Sequence, residues 1–474
     1  MAFTIGPLGL YTDFYELAMA QGFFYIGKGK SRVVFDYFYR SNPFSSGYAV
    51  FAGLYDLLEL LQDYRFSAGD IKFLKDQGFR PEFLRYLETF VFSGTVYSMV
   101  EGEIVFPNEP ILRVEGNIIE AQLIESLLLN ILNFETLIAT KAFRIQQASG
   151  KKVFSDFGLR RAQGFGALHA SRAACIGGAT FTSNVMAGKL FDIPVSGTQA
   201  HSWIQSFDSE LQAFKAFADH FPDNTILLVD TYDTLKSGIP NAVKVAKELE
   251  ANGHRLIGIR LDSGDLAYFS KKTRTMLDNA GLGYVKIFAS NQLNEYVINS
   301  LIKEQKAPID AFGVGTELVT GKGDAALDGV YKLAWIDNQP RMKVSENIEK
   351  VTLPGIKNVY RYFDKEGKFY RDGILLNDET VGSVETLYHP VYSDKFTDIS
   401  GLRQDQLLKK VYTNQQIRIP KQTPVAISGL LKKRAMKLPD EHKRFISPHI
   451  YKVGISQKLM DLRNSLLGGY KYKF

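Results

Sequence analysis

The segment Gly258-Ile259-Arg260-Leu261-Asp262-Ser263-Gly264-Asp265 gathers an arginine, two carboxylates and a flexible glycine at the end of an apolar run. That set suits a sugar phosphate: a guanidinium grips phosphate bidentately, a carboxylate accepts ribose hydroxyls or holds Mg²⁺, and Ser-Gly can lend backbone N–H groups. The same residues also read as an Arg–Asp pair closing a strand-to-helix turn, with Asp262 or Ser263 capping the helix. Gly313-Val314-Gly315-Thr316 opens a turn where backbone amides can approach an anion, and Ala289-Ser290-Asn291 offers a second small polar rim. Together they read as a split phosphate site, although a Gly-x-Gly pair is equally at home in a plain tight turn. In Phe157-Gly158-Leu159-Arg160-Arg161 the ring could stack on a flat heteroaromatic substrate and Arg160 could hold a carboxylate or diphosphate. The plainer reading is a core phenylalanine with two surface arginines.

The seven histidines are His169, His201, His220, His254, His389, His442 and His449, with no HExxH or similar metal spacing, so a zinc site is not expected. His201 differs from the others because it follows the turn Gly197-Thr198, beside an expected strand end. That position makes it a candidate catalytic residue, with a structural histidine as the alternative. Cys175 has no evident base partner and reads as a small core residue.

These residues need elements to hold them. From Lys152 onward, short apolar strands end in polar or glycine residues at Phe154–Gly158, Pro194–Thr198, Leu227–Thr231, Ile257–Asp262, Ile287–Asn291 and Phe312–Thr316, each followed by a helical stretch. A repeat of roughly 25–40 residues is that of a βα unit, and a parallel α/β barrel carries its chemistry at the C-terminal ends of its strands. Six candidate strands fall short of eight, so the barrel is expected to be irregular, with a doubly wound sheet as the alternative. Residues 1–150 read as an α+β unit ending in a long helix, residues 151–335 as the barrel, and residues 336–474 as hairpin-like strands returning to the first unit. Turn signals in that last part are Leu353-Pro354-Gly355 and Lys365-Glu366-Gly367.

A chain of 474 residues, 45% hydrophobic and 23% charged, has material for two or three domains. Its single cysteine allows no intrachain disulfide, and no basic-then-apolar leader is apparent, which favours the cytoplasm. The apolar stretch Ile118–Ala148 is interrupted by Glu120, Glu125, Glu135, Lys141 and Arg144, so a buried amphipathic helix is expected there and no membrane span. Residues 401–474 hold sixteen Lys and Arg against four Asp and Glu. These charges are scattered through aliphatic and proline-bearing sequence, so a solvated or subunit-contacting face is expected, without nucleic-acid binding.

Taken in order, the motifs resemble those of the nicotinate phosphoribosyltransferase family. They are Tyr11-Thr12-Asp13-Phe14-Tyr15, Asn42-Pro43-Phe44, Gly47–Leu54, Glu109–Val114, Phe157–Gly164, Gly188-Lys189-Leu190, Asp230–Thr234, the Arg260 segment, Gly313–Thr316, Gly329–Leu333 and Ser447–Tyr451. The resemblance implies transfer of phosphoribosyl from 5-phosphoribosyl 1-diphosphate to nicotinate in NAD biosynthesis or salvage, giving nicotinate mononucleotide and diphosphate. It further implies an enzyme classed with the ligases, with ATP as co-substrate hydrolysed through a phosphohistidine, and with Mg²⁺ assisting. The implied fold is an irregular parallel α/β barrel of the type II phosphoribosyltransferase kind, beside a second α/β domain built from the N- and C-terminal parts. A homodimer with shared active sites is implied as well.

By the same resemblance, His201 accepts phosphate from ATP, Thr198 lines the pyridine pocket, and Tyr15 reaches nicotinate from the partner subunit. Phe157 stacks on the ring, Arg160 and Arg260 bind diphosphate or the nicotinate carboxylate, Asp262 faces the ribose, and Asp230 joins the substrate-binding set. Ser290, Asn291, Gly315 and Thr316 hold the 5′-phosphate, with Thr320 a second candidate. No metal ligand is assigned. Two departures stand out: Gln199 replaces the first histidine of a Gly-Thr-His-Ala-His run, leaving His201 in its role, and Asp156 replaces a glutamate before Phe157. The nearest alternative is the nicotinamide-specific relative, which carries an aspartate where Asn184 stands. A buried aspartate repels a carboxylate substrate, so Asn184 favours nicotinate. A non-catalytic binding protein on the same fold is a further alternative. So is a sugar-phosphate isomerase or aldolase, for which no lysine or glutamate base stands at a strand end.

Overall fold

The computed structural model describes residues 6–346, 350–392 and 394–471. The chain forms two compact units, one of residues 141–325 with 423–425, the other of the residues up to 140, 326–422 and from 426 onward.

The first of these units is α/β. Its strands β1 (Val153–Asp156), β2 (Phe181–Thr182), β3 (Ile226–Leu228), β4 (Gly258–Leu261), β5 (Lys286–Ser290) and β6 (Ala311–Val314) form one parallel sheet in the order β2-β1-β6-β5-β4-β3. The sheet is curled into a half-barrel. Ile226, Leu227, Leu228 and Val229 are all buried, as expected for parallel strands covered on both faces. The helix Ile239–Ala251 buries Ile239, Ala242, Val245, Ala246 and Leu249, a spacing that lays one stripe against the sheet. Five of the six expected strand ends fall on strands. At the sixth, Pro194–Thr198, only a single bridge forms, Thr182 to Val195, and the pairing strand is instead the two-residue β2. Pro194 lacks an N–H for the ladder, and two residues are too few to show a periodicity.

The other unit is built on antiparallel pairs. Arg32–Tyr39 lies between Leu112–Asn117 and Gly329–Ile336 in a seven-stranded sheet, so sequence from both sides of the parallel sheet meets in one ladder. A six-stranded sheet carries Lys357–Phe363 and Phe369–Leu376, joined by a turn with Gly367 at φ 77. That six-stranded sheet carries a buried charge network: Arg361 pairs with Asp372 at 2.6 Å and with Glu103 at 2.5 Å, and Tyr451 donates to Asp372 at 3.0 Å.

The expected amphipathic stretch is two helices, Ile118–Leu123 and Glu125–Ser149. Its Lys141 and Arg144 are buried and paired with Glu295 at 2.8 and 2.9 Å. Among the described residues no helix is long and apolar enough to cross a membrane.

Candidate active site

Strand β4 delivers Arg260 and Asp262 to one end of the parallel sheet, and the neighbouring strands bring partners to both. Ser290, the last residue of β5, donates its hydroxyl to Asp262 Oδ1. Beyond β3, Asp230 Oδ2 accepts from the Asp262 N–H and from Ser263 Oγ, both at 2.7 Å. Asp230 thus holds the turn that presents Asp262. Its other oxygen, Oδ1, is buried and has no hydrogen-bond partner among the described residues. The helix cap falls elsewhere than the turn reading expected: Asp265, not Asp262 or Ser263, caps Leu266–Asn279 by accepting from Tyr268 N at 2.9 Å. Asp262 is therefore left with Oδ2 uncommitted to the turn.

That oxygen faces His201. His201 begins the helix His201–Gln205, with Nε2 3.8 Å from Asp262 Oδ2 and Nδ1 3.0 Å from Thr231 Oγ1. Two residues earlier in the chain than that helix's N-cap, Thr198 Oγ1 accepts from Arg260 Nη1. Burial lowers the affinity of Arg260 for its proton. The Asp262 and Asp230 carboxylates act against that shift, while the nearby Arg160 charge adds to it. Arg260 thus lies within electrostatic range of two carboxylates and of a second guanidinium, that of Arg160.

At the end of β1, Asp156 is buried and accepts from Gly158 N at 2.8 Å, Ser171 Oγ at 2.7 Å and Thr182 Oγ1 at 2.8 Å. Burial raises its pKa against the pull of those three bonds. The bonds fix the turn that carries Phe157. Its ring lies on Gly313, where any Cβ would overlap it, so the glycine is required by this close approach. A cavity of about 1100 Å³ in the other unit, lined by Arg40, Lys332 and Arg371 among others, contains none of the expected site residues.

Three family models together span most of the chain: the N-terminal domain of nicotinate phosphoribosyltransferase over residues 10–133, the family itself over 153–405, and the C-terminal domain over 356–463. The chain belongs to the nicotinate phosphoribosyltransferase family. It is 44% identical to the nicotinate phosphoribosyltransferase of Bacillus subtilis across 95% of this chain and 93% of that one. It is 32% identical to the Homo sapiens protein of the same name across 97% of both. The crystal structure of human nicotinic acid phosphoribosyltransferase matches with a TM-score of 0.86 at 30% identity, covering 96% of this chain and 99% of that one.

Of the residues that resemblance to the nicotinate phosphoribosyltransferases singles out, Thr198, His201, Asp230, Arg260, Asp262 and Ser290 are joined by the contacts above. Asn291 follows at φ 78, exposed. A Cβ on Gly315 would stand 3.1 Å from the Phe157 carbonyl oxygen, and Thr316 begins the short helix Thr316–Val319. The Thr320 hydroxyl is spent on the Thr316 carbonyl at 2.7 Å. Asn184 is buried and caps Val185–Phe191 through Ala187 N at 3.2 Å, with its NH₂ group 3.3 Å from Ser171 Oγ. Tyr15 lies in the other unit on the helix Phe14–Tyr25, 48% exposed. Sequence reasoning did not single out Thr231, and offered Ser263 as a helix cap or a source of backbone N–H groups but not as a donor to Asp230. Their signal was adjacency alone, since each follows a carboxylate at a strand end.

Proposed function

We propose that the chain transfers phosphoribosyl from 5-phosphoribosyl 1-diphosphate to nicotinate, giving nicotinate mononucleotide and diphosphate in NAD salvage. The observation that carries this reading is the Arg260–Thr198, Asp262–Ser290 and His201–Thr231 cluster at the strand ends of a chain that belongs to this family over nearly its whole length. In the transfer, the bond from ribose C1 to the diphosphate oxygen breaks and the pyridine nitrogen bonds to C1. Positive charge grows on the ribose ring, and the carboxylates of Asp262 and Asp230 stand to stabilise it. Arg260 and Arg160 receive the charge that accumulates on the departing diphosphate. Phe157 stacks on the pyridine ring, Thr198 borders it, and Tyr15 of the partner closes it. Ser290, Asn291, Gly315 and Thr316 hold the 5′-phosphate; Thr320 is the weaker candidate, because its hydroxyl is already paired. Asn184 contributes a neutral buried wall where an acid would repel the nicotinate carboxylate.

His201 serves as the phosphoryl acceptor from ATP. With its Nδ1–H donated to Thr231, Nε2 keeps the lone pair that attacks the γ-phosphorus as ADP leaves; water later releases phosphate from the histidine. The residues also fit Mg²⁺: Asp230 Oδ1 is a buried carboxylate oxygen with no hydrogen-bond partner among the described residues, and Asp262 Oδ2 is not hydrogen-bonded within the turn. Bound there, the ion would neutralise diphosphate charge.

The curled sheet is read as an irregular α/β barrel, supported by a strand order in which β1 lies between β2 and β6 and the others follow in turn. The division into 1–150, 151–335 and 336–474, with the last part packing on the first, is supported by the two compact units. A homodimer is supported by the exposed Phe14, Tyr15 and Met19 on one helix, and a cytoplasmic setting by the single cysteine. Formation of nicotinate mononucleotide from nicotinate and phosphoribosyl diphosphate by the purified protein tests the reading; no product under those conditions would end it.

A further inference from the structure

At the end of β1, four buried side chains form one hydrogen-bonded group: Asp156, Ser171 on the helix Gly166–Ile176, Thr182 on β2, and Asn184 at the start of Val185–Phe191. The donors fix the direction of each bond. The Ala187 N–H can only donate, so the Asn184 atom 3.2 Å away is Oδ1, and the NH₂ group lies on the other side, 3.3 Å from Ser171 Oγ. The single Ser171 proton goes to Asp156 Oδ2, which at 2.7 Å is a nearer and more strongly charged acceptor than the Ala167 carbonyl at 3.0 Å. A second path runs beside the first. The Asn184 N–H donates to Thr182 Oγ1 at 3.0 Å, and that hydroxyl donates to the same Oδ2 at 2.8 Å. The other oxygen of Asp156 accepts from Gly158 N at 2.8 Å and so closes the turn across Phe157, whose own N–H donates to the Val314 carbonyl.

Both paths donate toward Asp156 at every step, and that direction depends on a neutral side chain at Asn184. An acid there would set a second carboxylate against the same hydroxyl, and Ser171 has one proton for two such acceptors. Burial already raises the pKa of Asp156, and a like charge across a shared hydroxyl adds to the penalty. Asn184 is only 2% exposed and both polar ends of its carboxamide are spent on protein, so a charge at this place acts on Asp156 in the first instance. Resting on the functional reading above, we infer that Asn184 and Ser171 are positioning residues for the nicotinate site: Asn184, through the Ser171 hydroxyl, holds the Asp156 carboxylate, and with it the turn that presents the Phe157 ring to the base. Base preference at Asn184 is then set in the first place by what Asp156 tolerates.

A paired substitution reverses the path. In Asp156→Asn/Asn184→Asp the NH₂ group stands at the strand end and donates to Ser171, which donates to the carboxylate at the helix cap, so the group again holds one charge. Asn184→Asp alone should raise the KM for nicotinate about 10- to 100-fold, the range for one lost hydrogen bond to a charged group, with the KM for phosphoribosyl diphosphate within about twofold. Asp156→Asn alone sets two NH₂ groups on one hydroxyl and should do the same. The double variant should have a KM for nicotinate about tenfold below that of either single variant, the non-additivity expected of residues in one network. Ser171→Ala removes one buried oxygen and little bulk; it should keep its fold and raise the same KM about tenfold. A double variant no better than Asn184→Asp would mean that an acid at this place acts on the substrate directly, and would overturn the inference. An unchanged KM for nicotinate in Ser171→Ala would overturn it as well, as would losses that fall equally on both substrates, the mark of a purely structural network. Wild type that makes no mononucleotide from nicotinate would instead defeat the functional reading on which it rests.

Discussion

Asp262 is the residue on which most contacts converge. One oxygen is held by Ser290, the other faces His201, and its backbone N–H is pinned by Asp230. A carboxylate so fixed stabilises growing positive charge without having to reorganise, which is where such groups contribute most to a rate. Asp262→Asn keeps the shape and removes the charge, so kcat should fall by about 10²–10³ with the KM for nicotinate little changed. Steady-state kinetics decide this, and an unchanged kcat would take the ribose role from Asp262. At this scale the sequence was informative about residue identity and less so about commitment. Arg260 and Asp262 were readable because a strand end in a parallel sheet faces a mouth; His201 was read from an expected strand end at Pro194–Thr198 that forms only a single bridge. That the Thr320 hydroxyl and the Asn184 Oδ1 are spent on neighbouring backbone was not, because those bonds depend on helix positions a few residues away.

At the scale of elements, β1 and β6 must approach closely enough for Phe157 to lie on Gly313. Gly313→Ala forces the ring or the strand to shift, with an expected cost of about 1–3 kcal/mol in stability. A rise in the KM for nicotinate should accompany it, since Phe157 is the proposed stacking surface. Calorimetry and kinetics together check both; a variant with a normal KM would remove Phe157 from the base site. In the other unit, Glu109 is buried beside Asp372, and burial together with that carboxylate raises its pKa well above the usual range. One of its oxygens accepts from Phe106 N at 2.9 Å and the other has no donor among the described residues, so the folded state favours a proton there. The native protein keeps that proton where the unfolded chain has lost it. Its stabilising contribution is full below the unfolded value of about 4.5 and declines as pH rises toward the folded value. Glu109→Gln supplies a permanent donor, so melting temperature should depend less on pH above about 5 than in wild type; an identical profile would contradict the neutral Glu109. Five parallel strands were legible because buried strands read as apolar runs ending in polar residues. β2 was not, because two residues carry no period, and the single bridge at Val195 shows that a Pro-Val run can mimic a strand end.

For the whole molecule, the proposed homodimer makes a prediction about shared sites. If Tyr15 completes the partner's site, His201→Ala and Tyr15→Ala chains are each impaired alone, and co-expression should restore one intact site in every mixed dimer, about a quarter of wild-type activity for random pairing. Activity no higher than the mean of the two single variants would mean that each subunit works by itself. The pairing of Arg32–Tyr39 with Gly329–Ile336 shows why the organisation at this scale was only partly legible: the two strands are nearly 300 residues apart, and nothing in either segment names the other.

The account rests most directly on His201 and the choice of base. Initial rates with nicotinate and with nicotinamide, each with and without ATP, should be measured in wild type and His201→Ala. The expected result is a strong preference for nicotinate and a stimulation by ATP that disappears in the variant. Equal use of both bases, or ATP stimulation that survives loss of the imidazole, would contradict it.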